Sequence, residues 1–71
     1  MAFEVPVAIY LDTEVDVELL EELDIEYDYE DDYVVLKMQI DEVLLESLKP
    51  DELLEFIGID SEFFVYMDIQ E

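Results

Sequence analysis

The hydrophobic pattern of this chain switches repeatedly between a period of two and one of about 3.6 residues, and that switching limits the fold more than any other feature. Phe3, Val5, Val7, Ile9 and Leu11 alternate with Glu4, Pro6, Ala8 and Tyr10, which predicts a strand. Pro6 lacks an N–H, so it is expected at an edge or a bulge. Thr13-Glu14-Val15-Asp16 has the form of a capped helix start. Val15, Leu19, Leu20 and Leu23 then line one face of a helix over 14–23, with Glu14, Glu18, Glu21 and Glu22 opposite. From Asp24 the period returns to two. Ile25, Tyr27 and Tyr29 alternate with Asp24, Glu26, Asp28 and Glu30, and Glu30-Asp31-Asp32 makes a tight connection. A third strand follows over 33–40, with Val34, Leu36, Met38 and Ile40 on one side and Tyr33, Val35, Lys37 and Gln39 on the other.

Asp41 is placed to cap a second helix with Val43, Leu44, Leu45 and Leu48 as its apolar stripe. Pro50 ends that helix or opens a short successor carrying Leu53, Leu54 and Ile57, closed by Gly58. In a last strand, Phe63, Val65, Met67 and Ile69 alternate with Phe64, Tyr66, Asp68 and Gln70. Strand, helix, strand, strand, helix, strand is the order of an α+β, ferredoxin-like βαββαβ fold. The expectation is one acidic domain over 1–71: a four-stranded antiparallel sheet in the order 4-1-3-2, with two helices on one face.

Charge narrows function. Asp and Glu number 23 against two lysines, giving a net charge of −21, yet 54% of the residues are hydrophobic and nine (five Tyr, four Phe) are aromatic. Disordered acidic tails are poor in such residues, so the chain is expected to fold. Without arginine it cannot neutralise a run of phosphates, which excludes direct nucleic-acid binding and disfavours an anionic membrane. No apolar run approaches the length of a membrane span, and the N-terminus is not signal-like. The absence of Cys and His removes disulfides, thiolate nucleophiles, ordinary zinc sites and the commonest general base. No catalytic residue, metal or cofactor is expected. Asp24-x-Glu26-x-Asp28 begins like a calcium loop, but Tyr29 and Val35 stand where that loop needs Gly and Glu. Acids this numerous make any carboxylate pair uninformative as a glycosidase signal. A cytoplasmic binding protein remains.

Side chains on one strand face repeat about every 6.6–6.8 Å, and consecutive phosphates of a DNA strand lie roughly 7 Å apart. Asp24, Glu26, Asp28 and Glu30 on one strand would therefore present charge at phosphate spacing. Like charges at that separation repel by about 0.6 kcal/mol in water. A small domain normally carries a net charge of about 2–8 in magnitude with both signs mixed. So uncompensated a surface points to imitation of a polyanion. A solvated polar face and adaptation to very high salt are the alternatives. The carboxylates expected to face a partner are Glu14, Glu18, Glu21, Glu22, Asp24, Glu26, Asp28, Glu30, Asp31 and Asp32. Tyr10, Tyr33, Val35, Phe64 and Tyr66 are expected on the sheet face without helices, where a semi-apolar surface suits self-association into a homodimer; a face left in solvent and a partner-binding surface are the alternatives.

In size, charge, lack of cysteine and the acidic distribution from Glu14 through Asp32 to Glu55, the chain resembles the small DNA-mimic proteins that phages make to disable host DNA-binding proteins. The likeness is strongest to the branch directed at the nucleoid protein HU. Inhibitors of uracil-DNA glycosylase, CRISPR and restriction enzymes share these gross features. The resemblance implies a basic DNA-binding protein of the host as partner, blocked by occupation of its DNA-binding surface. An acidic structural or assembly module is the alternative from another class.

Overall fold

The computed structural model describes residues 3–70. In chain order they form β1 (Glu4–Asp12), α1 (Val17–Glu22), β2 (Tyr27–Glu30), β3 (Tyr33–Asp41), α2 (Glu42–Ser47), α3 (Pro50–Ile57), a 3-10 turn (Ser61–Phe63) and β4 (Phe64–Ile69). The four strands make one antiparallel sheet in the order β2-β3-β1-β4. This is the expected α+β, ferredoxin-like arrangement, with the second helix divided at Pro50.

The two-residue alternation decides which face is covered. Val7, Ile9 and Leu11 of β1 and Val34, Leu36 and Ile40 of β3 point to one side. There they pack against Val15, Leu20, Leu53, Leu54 and Ile59, all buried. All three helices lie over that face, and no charged or polar residue among those described is buried with them.

Pro6 sits on a central strand rather than at an edge or bulge. Its carbonyl accepts from the Gln70 N–H at 2.8 Å, so its hydrogen-bonding side faces β4, whose ladder begins only at Val7–Ile69. The missing donor therefore falls where β4 has ended, and the β3 ladder loses nothing.

The first helix is shorter than the pattern suggests. Asp12 Oδ1 accepts from the Glu14 N–H (2.9 Å) and its carbonyl from the Val15 N–H (3.1 Å), which folds 12–15 into a turn. Asp16, not Thr13, is the cap: its Oδ1 accepts from the Glu18 N–H at 3.0 Å. The turn carries Val15 into the core.

The end of α1 corrects the second strand. Ile25 N–H donates to the Leu20 carbonyl and Asp24 N–H to the Glu21 carbonyl, while Asp24 takes a left-handed φ of 59°. This is a Schellman ending with Asp in the position that glycine usually holds. At the end of α3 the same pair of bonds recurs, from Ile59 to Leu54 and from Gly58 to Glu55, with Gly58 at φ 111°. Asp24 thus belongs to a helix terminus, and β2 keeps only 27–30. The β2–β3 hairpin closes through Asp31-Asp32, with Asp31 also left-handed at φ 53°.

A register shift between Tyr10 and Leu11 interrupts the β1–β4 ladder, so that Tyr10 pairs with Tyr66 but Leu11 with Phe64. Phe64 consequently turns inward and packs on the core. Its expected place on the open face is corrected by that bulge, which puts an extra residue, Val65, into β4.

Candidate partner-binding face

The sheet face without helices is built row by row from the register. Asp28 of β2, Val35 of β3, Tyr10 of β1 and Tyr66 of β4 form one row. Lys37, Ala8 and Asp68 form the next toward one end, and Glu30 and Tyr33 lie toward the other. Val35 and Ala8 are buried although no helix covers them. Tyr10 is the register partner of Val35, with Tyr66 beside it on β4 and Tyr33 two residues before Val35 on β3.

Those three rings are ordered. Tyr10 and Tyr66 stack with centroids 4.1 Å apart and planes 8° from parallel. Tyr33 stands edge-on to both, 5.6 Å from Tyr10 and 6.0 Å from Tyr66. Near-equal distances place Tyr33 beside the stack, because a ring on its end would lie much farther from one member. The Tyr66 hydroxyl is held above the ordinary tyrosine range, first by partial desolvation among these rings, then by the Tyr10 hydroxyl and by the charges of Asp68 and Glu30. An aromatic centre with a charged margin is the usual anatomy of a protein interface.

Among the ten expected carboxylates, Asp28 and Glu30 alone belong to this face through the sheet register. They are two residues apart on β2, hence at about phosphate spacing. Asp31 and Asp32 occupy the adjoining hairpin loop, and Glu26 lies just before β2, its carbonyl accepting from the Lys37 N–H at 3.4 Å. Asp24 is removed from any strand row by its left-handed backbone. Glu18, Glu21 and Glu22 stand on α1, on the other side of the sheet, while Glu14 falls in the turn before it. Glu21 accepts from the Tyr27 hydroxyl at 3.5 Å. The expected comb of four acids on one strand is thus reduced to a pair, and the ten divide between the open face, the hairpin end and the helical side. All ten are exposed.

Asp68 joins the open face although the alternation reading did not select it. Its signal was present, since it shares the even-numbered side of β4 with Tyr66. Compensation is slight: Lys37 Nζ lies 3.8 Å from Asp28 Oδ2, the one ion pair among the described residues. Five other carboxylates are engaged by backbone instead, Glu52 Oε1 accepting from the Lys49 N–H at 3.0 Å. Asp12, Asp16, Asp41 and Asp60 each accept from the N–H two residues on, at 2.9, 3.0, 2.8 and 2.9 Å.

The hollows flanking Lys37, of about 360 and 330 Å³, are open to solvent and lined by Glu26, Tyr27, Asp28, Pro6 and Gln39 among others. No grouping of three or more acids suited to hold a metal occurs among the described residues. No described helix is long and apolar enough to cross a membrane. No protein-family model, curated protein or solved structure matches this chain.

Proposed function

We propose that the protein is a DNA-mimic inhibitor that occupies the basic DNA-binding surface of a host nucleic-acid-binding protein, with the nucleoid protein HU as the first target to test. The observation that carries this reading is the unbalanced charge: 23 acids against two lysines, with a single ion pair among the described residues. Such a field raises the rate of encounter with a basic cleft, and contacts at the face then select the partner. Inhibition is by mass action, without chemistry, in the cytoplasm of the host. The same logic extends to uracil-DNA glycosylase, CRISPR and restriction enzymes as targets.

Capture of partners from a bacterial lysate, with and without competing duplex DNA, tests the proposal. Basic DNA-binding proteins that duplex DNA displaces support mimicry. Capture of phage structural proteins indifferent to DNA would instead favour an assembly module.

A further inference from the structure

We infer that the open sheet face is an arginine-binding surface, in which a guanidinium of the basic partner stacks on the outer face of Tyr66 and pairs with Asp68. The inference rests on the proposed basic partner and specifies how it is held. Tyr10 covers one face of Tyr66 at 4.1 Å, and Tyr33 stands beside the stack rather than on its end. The opposite face of Tyr66 therefore carries no tyrosine ring and looks outward over β4, an edge strand. Tyr66 is 44% exposed. Asp68 follows two residues along the same strand face, about 6.6–6.8 Å away.

A planar cation satisfies this arrangement better than a spherical one. Arginine stacks on an aromatic face and directs a fork of donors to a neighbouring carboxylate, whereas the lysine ammonium is a compact, strongly hydrated point charge. A second copy of the chain is the other candidate occupant. Around a two-fold axis it would set the same carboxylates against one another, and each chain carries −21. Charge therefore favours the cationic partner.

The test compares nona-arginine and nona-lysine peptides, equal in charge, in nuclear magnetic resonance titrations of the unmodified protein and of Tyr66→Leu. Leucine keeps an apolar side chain beside Tyr10 while removing the ring. The expected result is about 2- to 5-fold tighter binding of nona-arginine, with the largest shifts at Tyr66, Asp68 and Tyr33, and loss of that preference in Tyr66→Leu. Asp68→Asn should narrow the preference without abolishing it. Equal affinity for the two peptides, or a preference unchanged by Tyr66→Leu, overturns the inference. So does a sedimented dimer of the unmodified protein that Tyr66→Leu converts to monomer, which would assign the face to a second copy. DNA-competable binding of basic proteins with no arginine preference removes this inference alone. An arginine preference without DNA competition removes the mimicry proposal and leaves this one standing.

Discussion

Tyr10 and Tyr66 are register partners on β1 and β4, and their rings stack at 4.1 Å immediately beside the bulge that turns Phe64 inward. The bulge and the stack belong together. The shift keeps Phe64 on the core, and the stack lies on the other face in the row of Val35. One irregularity thus lets a short strand serve both sides of the sheet.

Alkaline titration should detect that packing. Burial among the rings raises Tyr66, and partial burial followed by the nearby Glu21 charge raises Tyr27. A raised folded-state pKa favours the protonated form in the folded protein. The resulting stability is complete below the unfolded value of about 10 and is lost as pH climbs through the folded values. Tyrosinate absorbance of the native protein should rise later for these two residues than in the urea-unfolded chain. Coincident curves would contradict the packing.

Replacing Asp24 by glycine should stabilise the fold. A left-handed φ of 59° costs any residue with a Cβ, and a carboxylate at a helix C-terminus opposes the dipole. We expect a gain of about 1 kcal/mol, read as a rise of roughly 4–8 °C in melting temperature. Gly58→Ala, at φ 111°, should move the melt the other way by at least as much.

Asp41 separates capping from charge. Asp41→Ala removes the acceptor for the Val43 N–H and should cost about 1 kcal/mol in urea unfolding. Asparagine caps as well as aspartate and carries no charge. Asp41→Asn should therefore leave stability unchanged or raise it, since it also relieves repulsion. Equal loss in both variants would show that the carboxylate charge, rather than the acceptor, matters there.

Neutralising Glu26, Asp28 and Glu30 together, as Gln, Asn and Gln, removes three exposed charges around β2. Folding should survive, with a higher melting temperature at low salt that converges on the unmodified value as salt screens the rest. Affinity for the proposed basic partner should fall, mainly through association rate if these groups lie at the rim of the contact. Unchanged affinity in this variant and in one neutralised at Glu18, Glu21 and Glu22 would place the interface elsewhere.

Much of the fold was legible because alternation survives at the strand centres. Val7, Ile9 and Leu11, and Val34, Leu36 and Ile40, declare the covered face by spacing alone, and Asp41, Pro50 and Gly58 mark the ends of the later helices. Local hydrogen bonding hid the rest. Asp24 ends a helix with no glycine to announce it, Asp16 outcompetes Thr13 as a cap, and a bulge breaks parity before Phe64. The candidate face was half legible for the same reason. Tyr10, Tyr33 and Tyr66 followed from parity, but Asp24 and Phe64 lie on opposite sides of irregularities that parity cannot see.

The pairing of Val7 with Ile69 carries a kinetic consequence. β1 sits in the middle of the sheet, yet one of its two neighbours is the last strand of the described chain. Its full ladder cannot close until nearly all of the intervening sequence has been made. Before then β1 can pair with β3 along its whole length but not with β4, and the last step of assembly should be the long-range closure of β4 onto β1. During that interval the edge of β1 that faces β4 has no strand partner. Mutual repulsion between highly acidic chains is then a guard against aggregation during synthesis, before any partner is met.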